Sequence, residues 1–354
     1  MFKELMNVYN SLGDDISKKL FDIRMEYSIT KDKKKLQDEV YSMNRYEFTD
    51  LFEFIESFPD GKKIIIYGAG DSGNYAYRIL KDYGYGERVI AFGDDYIKKQ
   101  GLVIEGIPVL SPVEVCENYK DAIILISASQ YGMDIYKLLL RIGVKRENLY
   151  FPRYRRIMGM TGTQYFDLPY LKITNDAVYI DGGTYDGETC IDFIKWNGPN
   201  YKKIYAFEPS RYSIDLCNQR IEKNKIDRIE MINKGLYSSD AVLNFMHNAA
   251  GSKVSNDCVD TIEVTSIDKV LNGEKATFIK LDVEGCETEA LKGAKDTIQK
   301  FHPTLAVCIY HKPEDIFEIP IYILSLVPEY KLYIRHYSNV ESETILYAVV
   351  DENN

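Results

Sequence analysis

The sequence predicts an α/β protein with two parallel sheets in tandem, preceded by a helical segment. Short apolar runs alternate with amphipathic helical patterns in two separate series along the chain, which is typical of parallel sheets covered by helices. A glycine-rich turn follows the first apolar run of each series. The length of 354 residues agrees with about two domains. Each sheet is therefore expected to be doubly wound and Rossmann-like.

Composition and charge exclude several classes of function. The chain has 44 Lys and Arg against 54 Asp and Glu, a net charge of −10, and an acidic chain without a basic block is poorly suited to nucleic acid. No apolar run approaches the ~20 residues that span a bilayer. The six cysteines are scattered without a CxxC pair, which favours reduced thiols over disulfides or a zinc site. The sequence thus predicts a cytoplasmic protein with no nucleic-acid partner and no membrane span.

Residues 1–60 are predicted to form a helical N-terminal segment. It is mostly polar, apart from the amphipathic stretch YEFTDLFEFIESF. The turn Pro59-Asp60-Gly61 ends it. The helices of this segment are a candidate surface for homo-oligomer formation.

Residues 61–155 are predicted to form the first α/β unit. Strands are expected at 63–67, 89–92 and 123–127. The glycine loop is expected at 68–73, and helices are expected at 76–83 and 135–142. The periodicity then fades while Arg, Gly and Pro accumulate, so residues 156–176 are predicted to be a linker.

The glycine loop of the first unit fits G-x-G-x-x-G, with Gly68, Gly70 and Gly73 between a strand and a helix, where N–H groups can face a phosphate. Asp94 and Asp95 follow the second strand, where a dinucleotide site places its ribose acceptor. The stretch from IIIYGAGDSG to GIPVLSP resembles the nucleotide-sugar-binding domain of sugar-nucleotide acetyltransferases. Three interpretations stay open: a nucleotide-sugar or substrate-positioning site, a dinucleotide site, and a ligand-free interaction domain.

Residues 177–354 are predicted to form the second α/β unit. Its apolar runs are AVYI, IYAF, IEMIN, FIKL and LAVCI, and the final pair KLYIRHY and TILYAVV is expected to close the sheet edge as antiparallel strands. Asp181, Glu208 and Asp282 each stand at the end of one of these runs. Because ligands of open α/β sheets bind at the carboxyl ends of the strands, the three side chains should converge.

Four blocks of the second unit resemble the FkbM family of S-adenosylmethionine-dependent methyltransferases. They are VYIDGGTYDGET, IYAFEPS, TSIDKVL…ATFIKLDVEGCETEALKGA and PTLAVCIYHKPEDIFEIP, and the resemblance spans about residues 166–350. The first block departs from the family's commoner DVGANxG form at positions 182, 184 and 185. The resemblance implies a sheet of the class I methyltransferase type. It also implies an O-methyltransferase that acts on a small-molecule, sugar or glycan hydroxyl.

The resemblance also implies a cofactor site for S-adenosylmethionine. Glu208 would accept hydrogen bonds from the ribose hydroxyls, and Asp181 would orient the turn or the methionine amino group. The loop that contains Leu236 would lie against the adenine ring. The full set assigned to the cofactor is Asp181, Gly182, Gly183, Tyr185, Gly187, Glu208 and Leu236.

Methyl transfer to a hydroxyl needs a positioned base, and Asp282, Glu284 and His311 are the candidates. The sequence leaves open which of them acts. A divalent ion held by an Asp–His pair is a further alternative, but no metal site is predicted. Two other functions are alternatives: a scaffold protein of glycan assembly that has lost activity, and an NAD-dependent sugar-modifying oxidoreductase that uses the GAGDSG loop.

Overall fold

The computed structural model describes residues 2–43, 49–127, 132–150, 164–246, 253–254, 261–338 and 341–350. The chain divides into a first unit, Tyr41–Gly162, and a second unit, which combines Met1–Val40 with Thr163–Asn354. None of the described helices combines the length and the apolar composition needed to cross a bilayer.

Helices begin the chain, as the sequence predicts. They are α1 (Phe2–Ser11), α2 (Asp15–Thr30), α3 (Lys33–Met43) and α4 (Thr49–Glu56). The structure divides this N-terminal segment between the two units, although the sequence predicts a single segment. Val8, Leu20 and Phe21 are buried in the second unit, whereas Leu51 and Ile55 of α4 lie in a core cluster of the first unit. The division follows the apolar faces, since each helix buries its face on the nearest sheet.

The first unit contains a sheet of six strands. They are β1 (Ile64–Tyr67), β2 (Val89–Gly93), β3 (Val103–Ile104), β4 (Ile107–Leu110), β5 (Ile123–Ile126) and β6 (Leu149–Tyr150). Their order is β3-β4-β2-β1-β5-β6, and the pairs are parallel except for β3 with β4. The order reverses beside β1, which is the topological switch point of a Rossmann-like sheet.

Helices cover both faces of this sheet. Besides α4 they are α5 (Asp71–Asp82), α6 (Pro112–Tyr119) and α7 (Gly132–Arg141). Ile64 and Ile66 of β1 pack in one cluster with residues of α4 and α5, whereas Ile65 and Tyr67 pack in another with residues of α6 and α7. This alternation is the doubly wound arrangement that the sequence predicts.

The second unit contains a sheet of seven strands and a smaller sheet. In chain order the strands are β7 (Ala177–Gly182), β8 (Tyr201–Phe207), β9 (Ile229–Ile232), β10 (Gly235–Leu236), β11 (Ala241–Met246), β12 (Lys253–Val254), β13 (Thr261–Thr265), β14 (Phe278–Leu281), β15 (Thr304–Cys308), β16 (Lys331–His336) and β17 (Thr344–Val349). The large sheet has the order β16-β17-β15-β14-β7-β8-β9. Its last two strands pair antiparallel at the edge, which confirms that prediction.

The smaller sheet, in the order β10-β13-β11-β12, is not predicted by the sequence. Two of its strands are only two residues long, too short to show a period of two. Ile262 and Val264 of β13 are buried in a small cluster of their own, while Thr261 and Glu263 are exposed. The sheet thus has a small core of its own, against which Tyr237, Ala241 and Leu243 pack.

The helices of the second unit lie between these strands. After α1 and α2 they are α8 (Glu188–Asn197), α9 (Arg211–Asn224), α10 (Ile267–Leu271), α11 (Glu287–Lys292), α12 (Lys295–Phe301) and α13 (Asp315–Leu326). Together the two units give the predicted fold class, with two tandem Rossmann-like sheets and a helical N-terminal segment.

Part of the predicted linker lies in the core of the second unit. Residues 151–163 are outside the described residues, but Tyr165, Phe166 and Leu168 are buried in a cluster that includes Tyr179. Phe166 also stacks on Trp196, with 5.4 Å between ring centroids. The composition of residues 156–176 predicts a loop. In the structure, large aromatic side chains of this stretch pack in the core of the second unit.

Candidate active site

The carboxyl ends of β8, β7 and β14 bring Glu208, Asp181 and Asp282 to one edge of the large sheet. In the register of the sheet, Gly182 of β7 pairs with Phe207 of β8 and with Leu281 of β14. Glu208 and Asp282 are the next residues, so they flank the turn that follows β7 on its two sides. The predicted convergence of the three strand ends is therefore present.

The turn after β7 requires glycine at two positions. Gly183 has a φ of +74°, and a Cβ there would lie 1.8 Å from the carbonyl oxygen of Asp282. A Cβ on Gly182 would lie 2.7 Å from Cδ1 of Leu236, and Leu236 is buried beneath the turn. Gly187, with a φ of +79°, precedes the first residue of α8. Gly182 and Gly183 are thus tightly packed, and Leu236 of β10 lies against the turn at Gly182.

Asp181 orients this turn from inside the protein. Its side chain is fully buried, and Oδ2 accepts hydrogen bonds from Thr184 Oγ1 at 2.9 Å, from Cys190 Sγ at 3.2 Å and from Thr189 Oγ1. Oδ1 lies 3.1 Å from Lys280 Nζ. Of the two roles predicted for Asp181, the geometry matches the orientation of the turn, because the carboxylate faces no solvent-accessible space.

Lys280 is a residue of this site that the sequence analysis does not single out. It lies within β14 and is 1% exposed, and its Nζ donates to the carbonyl oxygens of Gly182 at 3.0 Å and Gly183 at 2.7 Å. Burial alone would lower the pKa of Lys280, but the neighbouring acidic groups, chiefly Asp181 and then Asp282, together outweigh burial and raise it. The available signal was a lysine inside the otherwise apolar run FIKL.

Glu208 is held at the end of β8 by two backbone amides. Oε2 accepts the N–H of Tyr185 at 3.1 Å, and Oε1 accepts the N–H of Ser210 at 2.8 Å. The side chain is 8% exposed, and burial raises its pKa. Tyr185 itself has a φ of +52° and is half exposed. The carboxylate is thereby fixed in orientation, with acceptor capacity left on both oxygens.

Asp282 begins the polar cluster beyond β14. Oδ2 accepts the hydroxyl of Tyr165 at 3.0 Å and Oδ1 accepts that of Tyr310 at 3.2 Å. Burial would raise the pKa of Asp282, but Lys280 and His311 outweigh it and lower the pKa. Both tyrosines were missed by the sequence analysis. For Tyr165 no sequence signal exists, because it lies in the predicted linker.

His311, after β15, lies among three carboxylates. Its Nδ1 is 2.9 Å from Oε1 of Glu287, and its Nε2 is 3.4 Å from Oε2 of Glu284 and 3.6 Å from Oδ1 of Asp282. Burial lowers its pKa, but Glu287 and the other carboxylates outweigh burial and raise it to about 9. The imidazole is therefore protonated at neutral pH. Glu287, the first residue of α11 and buried, was not predicted.

Glu284 is the most accessible carboxylate of this cluster. Its backbone has a φ of +53° and its side chain is 41% exposed. Desolvation nevertheless raises its pKa to about 7, against the lowering effect of His311. The structure thus brings together all three predicted candidates for the base, and it distinguishes them by protonation state.

One group of side chains has the spacing of a metal site. Among the described residues, Asp282, Glu287 and His311 each offer a ligand atom within 4.8 Å of the others. The ring of His311 is itself at ion-pair distance from the carboxylates, so an imidazolium can supply the positive charge that they face.

In the first unit, the glycine loop forms where it was predicted. Gly68 has a φ of +116°, and Gly70 is the N-cap residue of α5. A Cβ on Gly73 would lie 1.9 Å from the carbonyl oxygen of Gly68. These glycines allow α5 to pack against the end of β1.

Asp94 closes this loop with its own side chain. Oδ2 accepts the N–H of Ala69 at 2.8 Å and lies 3.2 Å from Lys99 Nζ, while Oδ1 accepts the N–H of Tyr96 at 2.9 Å. Asp95 is exposed. The carboxylate that would receive a ribose in a dinucleotide site is here engaged with the loop, and ligand binding by this unit stays a prediction.

Comparison with family models gives two matches. Residues 181–339 match a model described as Methyltransferase FkbM domain, and residues 60–149 match one described as C2185-like, N-terminal. No curated protein matches the chain in a sequence search. The resemblance of the first unit to sugar-nucleotide acetyltransferases is not supported by these matches.

Two solved methyltransferases are among the structures similar to this chain. Methyltransferase FkbM from Methylobacillus flagellatus KT has a TM-score of 0.50 and 18% identity, and the match covers 88% of this chain and 99% of that chain. Fibrillarin from Aeropyrum pernix, solved with natively bound S-adenosyl-L-methionine, has a TM-score of 0.35 and 12% identity, with 52% of this chain and 71% of that chain covered. The first likeness shows the fold. Residues 181–339 of the second unit match the FkbM methyltransferase domain, and the fold is of the class I methyltransferase type.

Proposed function

We propose that the FkbM domain transfers a methyl group from S-adenosylmethionine to a hydroxyl of a sugar or glycan. One observation carries the proposal. Glu208 at the end of β8 and the cluster of Asp282, Glu284 and His311 beyond β14 and β15 flank the same glycine turn. A cofactor acceptor and a candidate base thus lie on opposite sides of one tight turn.

The residues around the turn fit the cofactor. The two glycines leave the backbone open to close approach by a ligand. Glu208 is held by two N–H groups and keeps acceptor capacity for the two ribose hydroxyls. S-adenosylmethionine supplies an electrophilic methyl group when it is bound. The protein's part is then to place the acceptor hydroxyl and to receive its proton.

Glu284 is the best candidate for the base. Asp282 already accepts two tyrosine hydroxyls and its pKa is lowered, so it is a weak proton acceptor. His311 carries a proton at neutral pH, since its pKa is about 9. Glu284 is accessible and has a pKa of about 7, close to the value at which a general base works best.

In the proposed step the acceptor hydroxyl gives its proton to Glu284 as its oxygen forms the new bond to the methyl carbon. The bond between that carbon and sulfur breaks, and the sulfur keeps the electron pair. His311 faces Glu284 with Nε2 3.4 Å from Oε2, and Glu287 lies 2.9 Å from Nδ1 as a countercharge for the imidazolium. Each of these groups is placed before the reaction begins.

A neutral polyol fits the charge of this site. Asp282, Glu284 and Glu287 surround His311, so this acidic lining disfavours anionic acceptors such as phosphates. Carboxylates and tyrosine hydroxyls are suitable hydrogen-bond partners for sugar hydroxyls. This charge pattern and the family resemblance support a sugar or glycan acceptor.

Ligand-dependent thermal unfolding of the full chain tests the proposal first. S-adenosylhomocysteine at one hundred times its Kd is expected to stabilise the protein by about 2.7 kcal/mol, and NADH is expected to have no effect. Incubation with deuterated-methyl cofactor and a panel of glycosides, read by mass spectrometry, then tests transfer. A shift with NADH alone would overturn the proposal, and cofactor binding without transfer to any acceptor would favour the scaffold alternative.

A further inference from the structure

We propose that Lys280 is a positioning residue that sets the conformation of the cofactor turn. The inference rests on the proposed function, since it concerns how the turn binds S-adenosylmethionine. Lys280 is 1% exposed within the buried strand β14. A buried ammonium is unfavourable unless it is paired and hydrogen-bonded. The contacts of the Lys280 ammonium therefore indicate its role.

Among the described residues, the close polar contacts of the Lys280 ammonium lie on β7 and the turn. Nζ is 3.0 Å from the carbonyl oxygen of Gly182, 2.7 Å from that of Gly183 and 3.1 Å from Oδ1 of Asp181. Two of its N–H donors are used by the hydrogen bonds to these carbonyl oxygens, and Asp181 supplies the countercharge. The ring of Tyr165 lies on another side, with its centroid 5.3 Å from Nζ. Lys280 therefore acts on a ligand through the turn and not by direct contact.

The opposite side of the same peptides is held as well. The N–H groups of Gly183 and Thr184 donate to the carbonyl oxygen of Phe207 at 3.0 and 3.1 Å. With the carbonyls fixed by Lys280 and the amides fixed by Phe207, the peptide planes of the turn have one orientation. The next residue, Tyr185, then directs its N–H to Glu208. Lys280 thus governs both the surface that the turn offers and the support of the predicted ribose acceptor.

Loss of the ammonium removes the donor given to the Gly183 carbonyl and leaves the Gly182 carbonyl with the N–H of Asp282. The peptide of Gly183 can then rotate, so cofactor affinity should fall. Lys280→Met alone leaves Asp181 buried without its countercharge and would destabilise the fold. The test therefore uses the double variant Asp181→Asn/Lys280→Met, in which both charges are removed. A second double variant, Asp181→Asn/Lys280→Gln, keeps an amide donor for the turn. Lys292→Met is the matched control, since Lys292 is an exposed lysine on α11 paired with Glu289.

The measurements are the Kd of S-adenosylhomocysteine by calorimetry and the unfolding midpoint without ligand. We expect the methionine double variant to bind about tenfold more weakly or worse, the glutamine double variant to be intermediate, and the control to equal the wild type. A purely structural role would move the unfolding midpoints but not produce this graded affinity.

The outcomes separate this inference from the proposed function. If both folded double variants bind S-adenosylhomocysteine within about twofold of the wild type, the role of Lys280 is overturned while the proposed function stands. If the wild type binds no S-adenosylhomocysteine, the proposed function fails and the inference fails with it. If the methionine double variant does not fold, the glutamine double variant decides, because equal affinity in that variant also overturns the role.

Discussion

Gly183 lies so close to Asp282 that a Cβ at position 183 would sit 1.8 Å from the Asp282 carbonyl oxygen. The two residues follow the adjacent parallel strands β7 and β14. The turn proposed to bind the cofactor and the residue that begins the polar cluster are therefore in direct contact. A displacement of Gly183 must therefore move Asp282. The geometry of the site is thus sensitive to the addition of a single atom at position 183.

Gly183→Ala should consequently destabilise the fold and weaken cofactor binding. The residue combines a φ of +74° with the steric clash, so we expect the free energy of unfolding to fall by roughly 2–4 kcal/mol in urea denaturation. Gly198→Ala is the matched control, since Gly198 has a φ of +82° but nothing within 4 Å of its added Cβ. Equal losses in the two variants would show that backbone strain alone, and not the contact with Asp282, limits position 183.

Glu208→Gln should weaken the binding of S-adenosylhomocysteine by about 10- to 100-fold. The reason is the loss of charged hydrogen bonds to the ribose hydroxyls, each of which contributes on the order of 1.5–3 kcal/mol. Calorimetric Kd values of the two proteins measure the effect. Glu230→Gln serves as the control, because Glu230 is an exposed residue of β9 that pairs with Lys203. Unchanged affinity in Glu208→Gln would remove Glu208 from the cofactor site.

Glu284→Gln should reduce kcat by about 10²- to 10⁴-fold and leave the Kd of S-adenosylhomocysteine unchanged, as expected for loss of a general base. Glu289→Gln on α11 is the control, since that side chain pairs with Lys292 at the surface. Full turnover by Glu284→Gln together with loss of turnover in His311→Gln would identify histidine as the base.

The stability of the protein should fall as the pH rises from about 6.5 to 9. The pKa of His311 is raised from 6.5 to about 9 in the folded protein. Its contribution is thus fully present below pH 6.5 and is lost as the pH rises through 9. One proton gives a slope of at most about 1.4 kcal/mol per pH unit. Urea denaturation across this range should show a flatter profile for His311→Gln than for the wild type, and parallel profiles would contradict the raised pKa.

The stabilising contributions of Glu284 and Asp315 also fall as the pH rises, but at lower pH than that of His311. Burial raises the pKa of each to about 7, so their contributions are present below their unfolded values and are lost as the pH rises through 7. The difference between the wild-type and His311→Gln profiles above pH 7.5 therefore reports the effect of the histidine.

The sequence alone was sufficient for the local features of this protein. Apolar periodicity located the principal strands and the helices between them, because burial of one face requires that spacing. The order of these elements implied parallel sheets, and the ends of the strands placed Asp181, Glu208 and Asp282 at one edge. The glycine turns were also visible, since left-handed backbone favours glycine.

The partners of these residues were decided only by the tertiary structure. Tyr165 reaches Asp282 from a stretch that composition marks as a loop, across 117 positions of sequence. Lys280 and Glu287 gained their roles from contacts with Asp181 and His311 that no periodicity reports. Periodicity shows that a side chain is buried but not which residues it contacts. The protonation states of the site follow from those contacts, since burial and neighbouring charge set each pKa.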